Sequence, residues 1–533
     1  MNFSPNPLKL ITSLAINPMN IKLFPVILGC FGLLIVGCGT FFHETNTSTS
    51  TQNLSSQVIN RVGDGGTVNI GVTSENSELV PVMEQALKAQ GLSNYVIQKG
   101  GSFIVAQALC DNQLDAVMVA DNNLIEATCP GQFSLGSMDL YTTYVEFWAS
   151  PVVLKKLGFF NREVGLNEIV AVLAKPVAKG GMCLASSVPI YSKSGNTAYM
   201  AFAGADHNNE PQFTPQTLPT LKSIYENRCL SSESTAWLME KAYNQGNEWL
   251  TQNQALVVGY NTLFNRPFTN HSVVDFRSRD LAPIKLKTPL QVVPTAFWRQ
   301  ENHAEKFRLV FQSVSQSEIA QSLDQVPAVK KSNVLRPFSG ISLRAGINFY
   351  NAQVRNLAGW VLVLDVSGSM EGEGLDGLKR GAVALVNPDN AKKYGLYRPD
   401  DSFSVLTFSG ETKQLSGNSR DQLTQDLSQL QADGGTYLFN AAQQAIEFVP
   451  KNGTGIVVFF SDGAPSDEPN PALVERYQRF TQQEGGKVIF VAVGNIDPDQ
   501  VKMVASALSA TPIYSQNVNE TAQQFLKGIA DAL

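Results

Sequence analysis

Histidine is scarce in this 533-residue chain, and charged residues are few. Asp, Glu, Lys and Arg make up 16% of the residues, against about 25% in an average globular protein. None of the six cysteines forms a CxxC pair, so we expect no zinc site of the Cys/His kind. The net charge of −6 comes without a stripe of Lys and Arg, which excludes the electrostatic footprint of a nucleic-acid-binding protein.

The motifs of common enzyme classes are also absent. We find no Gly-x-Ser-x-Gly elbow, no His-Glu-x-x-His and no Cys/His pair at a suggestive spacing, so the sequence does not predict an enzyme. The histidines stand among polar neighbours, and we expect solvated side chains at His43, His207, His271 and His303. The hydrophobic content of 43% is that of a globular protein. At this length, two or three domains are expected.

The N-terminus carries an apolar run from Leu23 to Val36, preceded by Lys22. This pattern predicts a secretory signal, since about 20 residues are needed to span a bilayer. The tetrad 35–38, which ends in Cys38, resembles the bacterial lipobox. That resemblance implies cleavage before Cys38 and lipid on its thiol, with a plain signal or membrane anchor as the alternative. A start at Met19 would give a signal of ordinary proportions.

The four remaining cysteines lie in the first half of the exported part. Separated cysteines of even number in an exported chain indicate disulfides. The local pairing Cys110–Cys129 and Cys183–Cys229 is favoured, and four buried free thiols are the alternative.

Residues 67–343 alternate between strand and helix patterns, which predicts an α/β layer with a parallel sheet. The segments VNIGVTSENSELVPVMEQAL, GGSFIVAQAL and LDAVMVADNNLIE resemble type-2 periplasmic solute-binding proteins. The resemblance implies two α/β lobes with a ligand cleft between them. Before this region, residues 39–66 are rich in Ser, Thr and Asn and predict a flexible tether after the signal of residues 1–38. Residues 344–357 lack a strong pattern and are assigned as a linker.

The cleft is expected to bind a small polar or anionic solute through loops that open helices, where backbone N–H groups favour anions. The candidate contacts are Ser74, Ser102, Ser194 and Thr197, which stand in polar or glycine-containing segments. Ordinary helix caps and turns are the alternative interpretation of each of these residues.

Residues 358–533 contain oxygen-bearing side chains at three predicted strand or helix boundaries. The apolar run 360–364 reads as a buried strand and leads into Asp365-Val366-Ser367-Gly368-Ser369. Gly434-Gly435-Thr436 precedes a predicted helix, and a second apolar strand ends at Ser461-Asp462-Gly463. Open α/β sheets place ligands at the carboxyl ends of their strands. Hydroxyl and carboxylate oxygens there suit a hard cation such as Mg²⁺.

This pattern resembles the metal-ion-dependent adhesion site of von Willebrand factor A domains. The matching positions are Asp365, Ser367, Ser369, Thr436 and Asp462. The resemblance implies a doubly wound, mainly parallel Rossmann-like sheet, so the predicted fold class is α/β throughout, with two lobes followed by the A domain. It also implies one divalent cation, Mg²⁺ first and Mn²⁺ or Ca²⁺ as alternatives, with a coordination position open to an Asp or Glu of a protein partner. Asp467 is expected either to support this site by hydrogen bonding or to be solvated.

The sequence therefore predicts a lipid-anchored protein of the bacterial cell envelope. Its A domain would bind a protein partner through the cation, and its first region would recognise a solute. The alternative is the substrate-binding component of a membrane transporter, with the A domain as an accessory dock.

Overall fold

The fold is taken from a computed structural model. It describes residues 51–53, 66–131, 135–232, 234–265, 280–301, 303–324, 334–393, 396, 398–417, 419–450, 453–463, 465–494 and 497–514. The predicted signal, Met19, Cys38, His43 and His271 lie outside these residues. All described residues belong to one unit, Ser50–Leu533.

The strands run as follows: β1 Thr51–Asn53, β2 Val68–Thr73, β3 Tyr95–Gly100, β4 Ala116–Val119, β5 Leu135–Asp139, β6 Thr143–Ala149, β7 Glu163–Val164, β8 Cys183–Ala185, β9 Arg228–Leu230, β10 Ala255–Tyr260, β11 Ala282–Pro283, β12 Lys285–Leu286, β13 Leu290–Val292, β14 Thr295–Arg299, β15 Ala358–Asp365, β16 Ser402–Phe408, β17 Thr412–Gln414, β18 Thr454–Ser461, β19 Lys487–Ala492 and β20 Thr511–Tyr514.

The α-helices are α1 Val80–Ala89, α2 Ser102–Cys110, α3 Asn123–Thr128, α4 Pro151–Lys156, α5 Leu166–Leu173, α6 Lys193–Gly204, α7 Leu218–Glu226, α8 Thr235–Gln252, α9 Asn261–Asn265, α10 Ala304–Ser315, α11 Glu318–Leu323, α12 Gly340–Phe349, α13 Glu373–Val386, α14 Pro388–Lys393, α15 Arg420–Ser428, α16 Leu438–Ala445, α17 Pro471–Gln482 and α18 Pro498–Ala507. Short 3-10 segments cover Ser74–Leu79, Val177–Lys179, Gly368–Met370 and Ile446–Phe448, and a π-helical turn covers Tyr350–Val354.

Lobe 1 of the first region is built on the sheet β1-β3-β2-β4-β14-β5. Strands β2, β3 and β4 are parallel, whereas β14 runs antiparallel to β4 and β5. Helices α1 and α10 bury apolar side chains such as Leu87 and Phe311 on one face of this sheet. Helices α2 and α3 cover the other face, with Leu109 and Leu124 buried. The predicted α/β layer is therefore present.

Lobe 2 has the sheet β11-β6-β10-β8-β9, with β13 also paired to β6. The chain enters lobe 2 after β5 and returns to lobe 1 at β14. The two crossings lie side by side, because the N–H of Leu140 donates to the carbonyl of Pro294 at 2.8 Å. The first region thus has the two lobes that its resemblance implied.

The C-terminal sheet has the order β17-β16-β15-β18-β19-β20, and only β17 is antiparallel to its neighbour. Central strand β15 is buried along its whole length. Its alternate side chains enter two cores: Leu362 packs in the cluster that includes α13 and α15, and Val363 in the cluster that includes α16, α17 and α18. An unbroken apolar run is what a strand covered on both faces requires. The predicted doubly wound, mainly parallel sheet is confirmed.

The predicted linker is a packed element rather than an extended joint. Helix α12 docks on lobe 1, where the guanidinium of Arg344 donates to the carbonyl of Ala127 at 3.0 Å. In the following π-helical turn, the buried ring of Tyr350 meets Tyr199 and Tyr225 of lobe 2 edge-on at 5.4 and 5.1 Å. The sequence did not predict this helix, because its apolar residues face both lobes and so do not form a single apolar stripe.

Strand β1 lies inside the segment predicted as a flexible tether, and it pairs in parallel with β3, whose edge would otherwise leave backbone groups unpaired. No helix among the described residues has the length and apolar character needed to cross a membrane.

Candidate metal centre and candidate ligand cleft

Asp365 is the last residue of β15, and its side chain is buried. Its Oδ1 accepts a hydrogen bond from the backbone N–H of Ser367 at 2.9 Å, and its Oδ2 accepts one from the hydroxyl of Ser461 at 2.6 Å. Because β15 and β18 are parallel neighbours, with Leu364 opposite Phe460, both strands deliver these polar residues to the same edge of the sheet.

The serines of the first loop form a chain of hydroxyls that leads outward from Asp365. The Oγ atoms of Ser367 and Ser369 lie 3.0 Å apart. Ser367 is buried and Ser369 is exposed, since the short 3-10 turn Gly368–Met370 carries the backbone to the surface. The predicted hydroxyl pair therefore forms a contiguous set of oxygen donors beside the buried carboxylate.

The second loop is tied to the first by its backbone. The N–H of Asp433 donates to the carbonyl of Val366 at 2.8 Å, and the N–H of Gly368 donates to the carbonyl of Gly434 at 3.0 Å. Gly434 has φ +83°, and a Cβ there would lie 3.3 Å from the Oγ of Ser409. Glycine is thus needed for this approach, which places the buried Thr436 next to the first loop.

The third loop follows β18 and joins the second loop. The N–H of Ser466 donates to the carbonyl of Thr436 at 2.7 Å, and the N–H of Thr436 donates to the Oγ of Ser466 at 3.4 Å. The same loop holds Asp462, which is buried, and Gly463, whose φ of +85° allows the chain to turn against α18. The structure therefore brings the three loops that carry all five predicted positions into one connected edge.

The electrostatics of this edge fit a bound cation. Burial raises the pKa of the Asp365 carboxyl to about 6, the nearby Asp462 carboxylate adds to the rise, and hydrogen bonds from Ser367 and Ser461 oppose it. Within the described part of the chain, no Lys, Arg or His forms an ion pair with Asp365. Neighbouring buried carboxylates are costly unless a positive charge accompanies them.

The donor set is composed entirely of oxygen atoms. Over the residues that the structure covers, no group of three or more His, Cys, Asp and Glu side chains could hold a metal ion. The predicted set contains only two carboxylates, and its other donors are hydroxyls. Such a set fits a hard cation like Mg²⁺, and it does not fit a site built on imidazole or thiolate.

Asp467 forms hydrogen bonds, which was one of the two alternatives predicted for it, and Ser461 has a role that the sequence did not predict. Asp467 caps α16, because its carboxylate accepts from the N–H groups of Phe439 and Asn440 at 3.2 and 2.8 Å. It therefore fixes the helix that follows Thr436, and it is not a solvated loop carboxylate. Ser461 directly precedes Asp462 in the Ser-Asp-Gly turn. Its hydroxyl at the end of a strand is the sequence feature that could have predicted its contact with Asp365.

The four predicted cleft residues differ in their positions and in their hydrogen bonding. Ser102 is the first residue of α2, and Ser74 begins the 3-10 segment after β2. Ser194 is buried within lobe 2, where its hydroxyl lies 2.5 Å from that of Thr235 and 3.1 Å from that of Ser187. Thr197 is also buried in α6, and its hydroxyl has no hydrogen-bond partner among the described residues.

The structure adds buried ionisable residues that were not predicted for the cleft. Glu75 and Asp121 come from lobe 1, and Lys193 and Tyr260 come from lobe 2. Burial raises the pKa of the Glu75 carboxyl to about 7, opposed by a hydrogen bond from the Thr73 hydroxyl. No sequence signal marks these residues. Their burial depends on contact between two lobes whose segments are far apart in the sequence.

The cysteines are joined as Cys110–Cys129 and Cys183–Cys229, with Cα atoms 6.0 and 5.6 Å apart. These are the two pairs favoured from the sequence, and they leave no free thiol in the described part of the first region. Each bridge lies within one lobe, so neither bridge prevents movement of the lobes against each other. Of the described histidines, His207 is exposed and His303 is partly exposed.

Comparison with known proteins gives matches to solved structures, and no curated protein matches the sequence. A von Willebrand factor type A structure from Catenulispora acidiphila has 17% identity and a TM-score of 0.28, over 34% of this chain and 43% of that one. The periplasmic binding protein AfuA from Actinobacillus pleuropneumoniae, bound to fructose-6-phosphate, has 13% identity and a TM-score of 0.39, over 55% and 99%. The sulfate-binding protein SubI from Mycobacterium tuberculosis has 11% identity and a TM-score of 0.36, over 54% and 98%.

These TM-scores are all below 0.5. The two lobes are therefore defined by their own sheets and not by these similarities. The chain spans less than half of the length of the Catenulispora structure. In the C-terminal region, residues 361–528 match the family model of the von Willebrand factor type A domain. This match is to the sequence and does not depend on the structural similarities.

Proposed function

We propose that this chain is a lipid-anchored protein of the bacterial cell envelope whose A domain binds a protein partner through a divalent cation. The observation that carries the proposal is the edge where Asp365 meets the loops of Thr436 and Asp462. There, buried carboxylates and a chain of hydroxyls stand together, and the described residues supply no ion pair to Asp365.

In this proposal, each residue of the site has a defined task. Ser367, Ser369 and Thr436 offer hydroxyl oxygens to the cation, and Asp365 and Asp462 offset its charge. Ser461 and the amide of Ser367 hold the Asp365 carboxylate in one orientation. A bound Mg²⁺ would supply an open position for a carboxylate of the partner, which is why we propose binding rather than catalysis.

The partner interaction is tested by capture on the immobilised full chain, first in Mg²⁺ and then in chelator. A partner retained only with Mg²⁺, lost with Asp365→Ala and kept with Asp433→Asn supports the proposal. Asp433 is the matched control because its exposed carboxylate lies three residues before Thr436. Capture that is equal in chelator and in Mg²⁺ would contradict a cation-dependent mechanism.

The first region is proposed to bind a small polar or anionic solute. Its buried polar groups between the lobes support this part, and they also support the second candidate, in which the chain delivers a solute to a membrane transporter. Loss of uptake of one solute on deletion of the gene, with uptake restored by Asp365→Ala, would favour the transporter candidate. Anchoring is tested separately: Cys38→Ala protein should leave the membrane fraction.

A further inference from the structure

One end of the lobe 2 sheet collects two surface segments. Strand β6 runs antiparallel to β10, with Trp148 opposite Val257, and β10 runs parallel to β8, with Ala255 opposite Cys183. The carboxyl end of β6 and the amino ends of β8 and β10 therefore lie together. Helix α4 follows β6 at this end, and the 3-10 segment Val177–Lys179 precedes β8 there.

Side-chain contacts join these two segments into one surface. The Nζ of Lys156 in α4 donates to Oε1 of Gln254 at 2.9 Å, and Nε2 of the same glutamine donates to the carbonyl of Val177 at 3.3 Å. The Nζ of Lys155 lies 5.0 Å from the centre of the Phe160 ring. We call this surface the lysine pole, and its lysines are Lys155, Lys156, Lys175 and Lys179.

The lysine pole is positively charged in a chain whose net charge is −6. Its four lysines are exposed, and within the described part of the chain none of them forms an ion pair. Residues 150–162 and 172–183 contain no Asp or Glu. Of the carboxylates next in sequence, Glu163 and Glu168, the second already pairs with Arg162. The pole therefore offers uncompensated positive charge, which attracts an anionic surface.

Apolar side chains are exposed among these lysines. Val152 of α4 is 62% exposed, and Pro176 and Ala178 are exposed between Lys175 and Lys179. Lysine stems and apolar side chains can enter the headgroup layer of a membrane while the ammonium groups stay at the phosphates. A soluble polyanion would use the charges but leave the apolar groups in water. The mixed composition thus favours a lipid surface.

The length of the preceding chain also favours a membrane as the occupant. In the proposed function the chain is anchored at Cys38, and β1 begins at Thr51. The 12 residues between them reach at most about 40 Å, so the folded unit stays within that distance of the headgroups. This step rests on the anchor of the proposed function, whereas the charge and exposure of the pole do not.

We propose that the lysine pole binds the anionic phospholipids of the membrane surface, with its four ammonium groups at lipid phosphates and Val152 in the headgroup layer. This contact adds to a lipid anchor, because the charge attraction and the anchor act on the same surface. It also orients the protein. The opposite end of the sheet, where α6 follows β8 and α9 follows β10, then points away from the membrane.

The test uses the chain from Gly39 onward, which keeps the whole unit Ser50–Leu533 and lacks both Cys38 and the apolar run. Co-sedimentation is measured with vesicles of phosphatidylcholine alone and of phosphatidylcholine mixed equally with phosphatidylglycerol, up to millimolar lipid. We expect binding only to the vesicles that contain phosphatidylglycerol. High salt should weaken this binding, because it screens exposed charges. No binding would overturn the proposal and leave the lipid anchor at Cys38 untouched.

Variants locate the contact. Lys155→Gln combined with Lys179→Gln should weaken vesicle binding by about 25-fold, since each lysine near an anionic surface contributes about fivefold. Lys88→Gln combined with Lys502→Gln is the matched control. It removes the same charge at exposed sites of lobe 1 and the A domain, and it should leave binding unchanged.

A fluorescent label tests the apolar part of the contact. In the chain from Gly39 the native cysteines are all in disulfides, so Val152→Cys provides one free thiol for an environment-sensitive fluorophore. Its emission should shift to shorter wavelength when phosphatidylglycerol vesicles are added, because position 152 leaves water. The same fluorophore attached at Lys502→Cys should not shift.

Three further results would overturn the proposal. Equal binding to both kinds of vesicle would show that the lysine charges do not direct it. Binding of soluble polyglutamate, with none to phosphatidylglycerol vesicles, would assign the pole to an acidic macromolecule. Equal losses in the Lys155→Gln, Lys179→Gln variant and its control would place the contact elsewhere on the protein.

Discussion

At the scale of single residues, the molecule keeps several carboxylates out of water. Asp365 and Glu75 are both buried, but their surroundings differ. Asp365 stands beside a second carboxylate and hydroxyl donors at a sheet edge, whereas Glu75 of lobe 1 lies near Tyr260 of lobe 2. In both, burial raises the pKa, so the folded state favours protonation more than the unfolded chain does.

Glu75 should make the stability of the chain fall as pH rises. Its pKa is raised from 4.5 to about 7, so the folded state binds more protons than the unfolded state between these values. Stability from this group is complete below pH 4.5 and is lost as pH rises to about 7, by up to about 3 kcal/mol.

Denaturant unfolding of wild type and Glu75→Gln from pH 4.5 to pH 8 measures this loss. The difference in stability should grow in favour of Glu75→Gln with rising pH. Comparing the two proteins cancels the contribution of Asp365, whose raised pKa acts in the same direction. A difference that stays constant with pH would show that the Glu75 carboxyl is not desolvated.

At the scale of elements, sequence reasoning succeeded where periodicity is local. The run 360–364 predicted a strand buried on both faces, and β15 is that strand. Its polar residues and those after β18 were predicted to share an edge, because parallel strands end together. The contacts of Ser461 were missed, since which hydroxyl reaches Asp365 depends on the pairing register of two strands far apart in sequence.

Other elements depend on partners that the sequence does not reveal. Helix α12 and the π-helical turn after it pack on both lobes, so their apolar residues show no single stripe. Likewise, Lys193 and Asp121 meet only because the lobes close. Such contacts arise between distant segments, and no local pattern predicts them.

Gly434 should be essential for the geometry of the second loop. Gly434→Ala places a Cβ at φ +83° and 3.3 Å from the Oγ of Ser409, so we expect a loss of about 1–2 kcal/mol in stability and weaker cation binding. Gly485→Ala is the control, since Gly485 has φ +70° with nothing within 4 Å. The control should lose stability but keep cation affinity, as measured by calorimetry. Equal cation affinity in Gly434→Ala and wild type would mean that this loop does not set the site.

At the scale of the whole molecule, the A domain packs directly against the first region. The core cluster on one face of β15 is continuous with that of the lobes through Tyr350 and Val354. Next to it, Arg355 forms a buried ion pair with Asp401 at 2.6 Å, and the same carboxylate accepts from the N–H of Ala358. The entry of the chain into β15 is therefore fixed by a charge pair.

Breaking this pair should destabilise the A domain strongly. Arg355→Met leaves the buried Asp401 charge without its partner, and we expect a loss of about 3–5 kcal/mol. Adding Asp401→Asn should recover part of it, because the unpaired charge is then removed. Arg308→Met, which breaks the exposed pair with Glu305, should cost far less, because water already solvates both of these charges. Calorimetric unfolding of the full chain measures these values, and equal losses for Arg355→Met and Arg308→Met would refute the role of burial.

The central claim is that Asp365 belongs to a cation site, and titration calorimetry of the full chain with Mg²⁺ and Mn²⁺ tests it most directly. We predict saturable binding to wild type and to Asp433→Asn, and loss of binding in Asp365→Ala. Circular dichroism in chelator should remain that of the folded protein, because the cores on both faces of the sheet are apolar. Equal Mg²⁺ affinity in wild type and Asp365→Ala would contradict the account.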